Sequence, residues 1–294
     1  MEKKPKQRGD RKDGYLVRDG DPMHIIMPFI LGERADNEAV VDEVFDLSAI
    51  DRYLAEKNSQ SPKYKYTYFH VILAALAKTI YLRPKMNRFI IGHRYYDRNN
   101  ISFSFVAKNQ MSDNGSESLL IIEAEDDQQP IIEQLHNKIC EEVYKVKSEE
   151  AVDGTTENMQ WLVRIPRPIL KLVVRFLFWL NAHDRLPKFL APFDPYRTTV
   201  FVSNLGSIKM SAGYHHLVNW STNSLFVVLN QAKMRPFFEN DGSYEMRNSM
   251  SMGFTIDERI ADGFYFAKSI MLFKDLLMHP ELLDQPISTP HQPE

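Results

Sequence analysis

The sequence predicts an α/β fold of two layers, a mixed sheet flanked by helices, and three observations carry that reading. Strand and helix periods alternate along the chain: Ile101-Ser102-Phe103-Ser104-Phe105-Val106 repeats every second residue, whereas Ile131, Ile132, Leu135, Ile139 and Val143 form a helical stripe. Within Ser251–Leu277 the period changes inside one stretch. Phe254 and Ile256 alternate with polar neighbours, then Phe266, Ile270, Phe273 and Leu277 recur at helical spacing beyond a charged turn, Asp257 to Gly263. Finally, 294 residues that are 44% hydrophobic suffice for one large core.

Charge and cysteine usage narrow the function. A formal net charge of −3 leaves no basic excess to neutralise phosphates, so no nucleic-acid partner is expected. Cys140 is the one cysteine, which rules out an internal disulfide and fits a reducing cytoplasm. The basic N-terminus lacks an apolar segment, so no signal peptide is read there. Residues 1–20 read as a mobile basic arm, 21–283 as a single domain and the Pro-rich residues 284–294 as a disordered tail.

In chain order, VDEVFDL reads as a strand leading into a helix that ends near Asn58, with Ser48 as N-cap. Thr67–Tyr81 is an apolar helix stopped by Arg83-Pro84. A short hairpin passes through Tyr95 and Tyr96 before the Ile101–Val106 strand. Leu119–Ala124 is a further strand and Pro130–Lys147 an amphipathic helix. Thr198–Asn204 and Leu225–Asn230 read as strands, Lys233–Pro236 as a corner, and Met250–Ile256 as the last strand.

The turn Asp257, Glu258, Arg259, Asp262, Gly263 resembles the Asp-His-Arg-x-x-Asp-Gly motif of the chloramphenicol acetyltransferase-like superfamily. It is closest to the catalytic domain of the dihydrolipoyl acyltransferases of 2-oxoacid dehydrogenase complexes. Six of seven positions fit; Glu258 stands where that family has its catalytic histidine. Ser203-Asn204-Leu205-Gly206 is similar to the family's Ser-x-Leu-Gly segment, and Pro84 with Asn87 to its Pro-x-x-Asn turn. The likeness covers roughly 41–108 and 198–277 and is weak between them. Residues 161–196 then read as an insert relative to the family.

The resemblance implies a CoA-dependent acyltransferase with a CoA thioester as co-substrate and no metal. It implies a homotrimer with each site between two subunits. Ser203 would donate to the oxyanion, a role worth about 3–4 kcal/mol when well placed; a serine at a strand end is otherwise a common turn former. Asp262 would organise the site through an ion pair, with Arg34 or Arg259 as partner, and Gly263 would supply a backbone conformation closed to other residues. A carboxylate is ~2 pKa units weaker as a base than imidazole. Either Glu258 is a handicapped base, or it is ion-paired with Arg259 or another arginine and the reaction is lost. The chain carries no lipoyl or subunit-binding domain, which points to a free-standing trimer.

His215 and His216 lie about ten residues past Ser203, and one of them offers a relocated base. On an extended segment they would face opposite ways, so only one would reach Glu258 and a shared metal site is not expected. His24, His70, His93 and Cys140 are scattered in sequence and read as structural. The helix Pro168–Asn181, with Lys171 and Arg175 its only charges, is too short to span a bilayer at ~20 residues. It reads as packed on the body or on a neighbouring subunit, as an interfacial membrane helix, or as a lid over an acyl channel.

Overall fold

The computed structural model describes residues 4–108, 117–147, 165–186 and 195–292. Its first elements are β1 (Gly14–Leu16), α1 (Pro22–Ile30), β2 (Glu38–Asp46), α2 (Ser48–Ser59) and α3 (Tyr68–Leu82). The hairpin β3 (Arg88–Ile91) and β4 (Arg94–Arg98) follows, then β5 (Ile101–Lys108), β6 (Glu117–Ala124) and α4 (Ile131–Lys147). Helix α5 (Arg167–Ala182) precedes β7 (Val200–Asn204), β8 (Leu225–Leu229), β9 (Lys233–Phe238), β10 (Tyr244–Asp257) and α6 (Gly263–Met278).

The main sheet runs β2-β10-β8-β7-β5-β6, with β9 beside the first half of β10. Strand β7 is parallel to β5 and β8, and the remaining pairs are antiparallel, so the sheet is mixed. Alternation along the strands sorts their side chains onto two faces. Val200, Val202, Val227, Phe254 and Ile256 point to the large core shared with the helices. Helix α3 is apolar on every side because it is buried on every side; Val71 to Ala75 are all at 0% exposure. Phe45, Phe254 and Phe273 meet edge to face where β2, β10 and α6 converge.

On the other face, Phe201, Phe226 and Val228 form a second, smaller cluster. After a short 3-10 turn at Leu205–Ile208, the chain from Lys209 to Ser224 crosses it without regular structure, pressing Leu217 onto that cluster. Two glycines admit this path. A Cβ on Gly206 would lie 2.8 Å from the Asn230 carbonyl oxygen, and one on Gly253 would overlap the Gly213 carbonyl.

Several sequence expectations change here. The N-terminal residues are docked, because β1 pairs with β4 and Arg11 is buried, donating to the Asn181 carbonyl at 2.7 Å. Asp13 bridges Arg11 and Arg197. The C-terminal segment is docked too: buried Lys78 donates to the Leu282 carbonyl at 2.8 Å, Pro286 bridges Pro130, and Ile287 is buried. Lys233–Pro236 is the start of β9 rather than a corner, since Pro236 pairs on a strand whose only partner among the described residues is β10. Ser48 does not accept a helix N–H; its own N–H and hydroxyl donate to Asp46. Helix α5 falls where Pro168–Asn181 predicts one, and parts of the expected insert lie outside the described residues.

Candidate functional site

One buried carboxylate anchors the turn after β10. Asp257 is fully buried and accepts two hydrogen bonds from the Arg259 guanidinium, Nε to Oδ1 and Nη2 to Oδ2, each 2.7 Å. Arg34 Nη1 reaches Asp257 Oδ2 at 3.3 Å from the segment after α1. Other guanidinium hydrogens reach carbonyls: Arg34 donates to Asn223 (2.7 Å) and Ile90 (2.9 Å), and Arg259 to Leu31 (2.6 Å). Four segments therefore meet at one carboxylate. Burial pushes Arg34 down to about 10, with Asp257 opposing the fall and Arg259 adding to it.

That arrangement corrects the expected partnership. Neither Arg34 nor Arg259 pairs with Asp262. Asp262 is exposed, and its Oδ1 accepts the Tyr265 N–H at 2.8 Å as N-cap of α6. That hydrogen bond, with Lys85 nearby, holds its carboxyl below the usual range against the opposing effect of desolvation. Gly263 is the first residue of α6; its φ is not positive and a Cβ there would meet nothing within 4 Å. Glycine's special conformations are not used at that position.

Glu258 emerges from this anchored turn with its side chain exposed. The ion pair expected with Arg259 does not form, because both edges of that guanidinium are spent on Asp257 and Leu31. Among the described residues Glu258 has no hydrogen bond or ion pair. Beside the turn is a cavity of about 210 Å³, lined by Arg34, Arg259, Glu33, His93, Phe178 and Asn219 among others.

Ser203 lies at the far end of the same sheet, half-buried near the end of β7, one residue before the Asn204 cap. Register fixes the separation: Ser203 is level with Val228 and Gly253, five residues short of Glu258. At ~3.4 Å per residue this is roughly 17 Å along the strands, with two strand spacings across. No side-chain rotation within one chain joins the two groups.

The histidine pair lies between them. His215 stacks on Phe226 (4.4 Å between ring centroids, 8°), which is level with Thr255. His216 stacks on His215 (4.6 Å, 26°). The rings do not face opposite ways as expected, because this stretch is an irregular crossing loop rather than a strand. Both are exposed.

The fold also gathers residues that sequence separation hid. His70, in the first turn of α3, meets His136 and Cys140 of α4. His70 Nε2 is 3.9 Å from Cys140 Sγ, and the two imidazoles are 4.8 Å apart between centroids. Burial and the neighbouring His136 push His70 down to about 3, and burial pushes the Cys140 thiol up. The 136/140 spacing, one helical turn apart, was a local signal; His70 was not linked to it by any pattern.

Residues 187–284, about a third of the chain, match the profile of the family described as 2-oxoacid dehydrogenases acyltransferase (catalytic domain). No curated protein matches the chain. Among solved structures, the chain is similar to a probable dihydrolipoamide acetyltransferase from Listeria monocytogenes, with a TM-score of 0.57 at 17% identity. That match covers 93% of this chain and 96% of that one. The cubic core of the pyruvate dehydrogenase multienzyme complex gives a TM-score of 0.57 at 15% identity, covering 91% and 94%. A chloramphenicol acetyltransferase gives 0.54 at 11%, covering 90% and 98%. At these identities the likeness establishes the fold: a chloramphenicol acetyltransferase-like α/β domain.

Proposed function

We propose that the protein is a CoA-dependent acyltransferase whose catalytic base is Glu258, working as a homotrimer in which each site is shared by two subunits. The observation that carries this reading is the exposed carboxylate of Glu258 held on a turn that the Arg34–Asp257–Arg259 cluster makes rigid. Glu258 takes the proton of a thiol, hydroxyl or amine acceptor. The acceptor adds to the thioester carbonyl, Ser203 of the neighbouring subunit donates to the oxyanion, and the CoA thiolate leaves with a proton. The separation of Ser203 and Glu258 in one chain, roughly 17 Å along the strands and two strands across, supports a shared site. So does the sheet face away from the helices, where Val40 and Val44 at one edge and Val106, Leu119 and Ile121 at the other are exposed. His216 is the alternative base, and Asp262 supports the frame as the cap of α6. Free CoA release from a panel of acyl-CoAs tests the reading. Turnover by wild type that Glu258→Gln abolishes without unfolding supports it; a silent wild type whose Glu258→His variant gains turnover rejects it.

A second reading is a non-catalytic trimeric binding or scaffold relative that docks on a membrane surface through Pro168–Asn181. The observation favouring it is α5, where Ile169, Leu172, Phe176 and Trp179 are exposed beside Lys171 and Arg175. Among the described residues no helix is long and apolar enough to cross a membrane. Co-sedimentation with anionic liposomes that Phe176→Glu leaves unchanged would reject docking by this helix.

A further inference from the structure

We infer that His70, His136 and Cys140 form a binding site for a thiophilic divalent cation, Zn²⁺, with a fourth coordination position open to the adjoining cavity. The three residues come from two helices packed side by side, and one ligand atom from each lies within 4.8 Å of the other two. Zinc bonds of 2.0–2.3 Å to nitrogen and sulfur put tetrahedral ligands roughly 3.4–3.7 Å apart, so side-chain shifts of about 1 Å close the shell. Two imidazoles and a thiolate select a cation of this softness over magnesium or calcium, which take oxygen ligands.

The surroundings fit metal ligation. His136 Nε2 is 3.0 Å from the Tyr64 carbonyl, which can only accept, so that nitrogen carries the ring proton. Nδ1 is 3.3 Å from Asn137 Oδ1, which can only accept, so the Asn137 amide turns its nitrogen toward the ring when Nδ1 keeps its lone pair. Donation of the second ring N–H to a carbonyl is the usual support of a metal-bound histidine. Tyr66 stacks on the His136 ring at 3.9 Å and fixes its plane. A cavity of about 650 Å³, bordered by His136, Cys140, Tyr64, Glu141 and Tyr144, gives a solvent molecule or small ligand access to the fourth position.

His70 must change tautomer to take part. Its Nδ1 accepts the Thr67 N–H at 3.0 Å, so the proton sits on Nε2, the atom facing Cys140. Thr67 Oγ1 is 2.9 Å from the same Nδ1. On loading, Nε2 gives up its proton and binds, while Nδ1 takes one and donates it to Thr67 Oγ1. The Thr67 N–H loses that acceptor, which opens one half of the capping box at the start of α3. The ring exchanges one proton position for another, and the Cys140 S–H supplies the single proton released per metal bound.

The cluster lies in the helix layer, on the side of the sheet away from the crossing loop and His215, so it is a site separate from Glu258 and Ser203. Metal there clips the start of α3 to α4.

The test uses the full chain stripped with a chelator and titrated with Co²⁺ as spectroscopic probe, then with Zn²⁺. One equivalent of Co²⁺ is expected to produce a thiolate-to-metal charge-transfer band, which Zn²⁺ displaces and Cys140→Ser removes. His136→Gln is expected to weaken binding by about 10-fold or more. In wild type alone, saturating Zn²⁺ should slow alkylation of Cys140 by about 10-fold, which decides the matter even if the variants fold poorly. Nitrogen NMR should follow the proton of His70 from Nε2 to Nδ1. Absence of the band at one equivalent, its persistence in Cys140→Ser, or an alkylation rate indifferent to Zn²⁺ would overturn the site.

Discussion

Asp257 holds two buried guanidiniums in one place, and removing its charge leaves them facing each other. Asp257→Asn should therefore cost about 3–5 kcal/mol in urea unfolding, the range for breaking a buried pair from one side. Asp262→Ala removes only a helix cap and should cost about 1 kcal/mol. A comparable cost for both would contradict the division of roles described above. Asp13 gives a pH dependence. Desolvation raises its pKa, but hydrogen bonding to Arg11 and the charges of Arg11, Arg197 and Arg98 outweigh this and hold it well below the ordinary carboxylate value. A lowered folded-state pKa means the unfolded chain binds the proton more readily, so the stabilisation is complete above about pH 4–5 and lost as pH falls below that. The stability gap between wild type and Asp13→Asn, measured by urea titration, should be widest at pH 7 and shrink progressively below pH 4. At this scale the sequence was only partly legible. The charged turn stood out, yet which of Asp257, Glu258 and Asp262 took the arginines depended on Arg34, more than two hundred residues earlier. His70 and Cys140 were likewise passed over because seventy residues separate them.

The strand–turn–helix of β10 and α6 and the loop crossing the sheet are the elements that arrange the candidate site. Glycine content distinguishes them. Gly253→Ala puts a Cβ into the Gly213 carbonyl, backbone against backbone, and should cost about 1–3 kcal/mol and loosen the loop bearing His215 and His216. Gly263→Ala enters open space at a helix start and should be neutral or stabilising by up to about 1 kcal/mol. Equal effects in thermal or urea unfolding would show that the crossing loop does not lie on Gly253. Elements with a clean period were readable: α3, α4, β5 and the junction of β10 with α6 fall close to where apolar spacing put them. Strand β1 was not, because three residues carry no period. Strand β9 was not either, because Lys233, Arg235 and Pro236 suit an edge pairing that only β10 defines. The docked termini escaped notice for a related reason: buried Arg11 and Lys78 are polar residues satisfied by carbonyls distant in sequence.

Among the described residues, one face of the sheet is closed by helices and the other only partly by the loop, with apolar residues left exposed at both edges. The fold class was legible because alternating strand and helix periods leave few other layer arrangements. The proposed sharing of the site between subunits was legible only through the family resemblance, since residue patterns do not show where Ser203 and Glu258 fall in the register of a sheet assembled from distant strands. Complementation between subunits tests the shared site most directly. Ser203→Ala and Glu258→Gln should each lose turnover, Ser203→Ala by roughly 10²–10³-fold as for a lost oxyanion donor. Unfolded together in equal amounts and reassembled, the two variants should recover about a quarter of the wild-type rate of CoA release, because in a cyclic trimer one interface in four pairs an intact Ser203 with an intact Glu258. Recovery of nothing, from variants that reassemble as trimers, would contradict a site built from two chains.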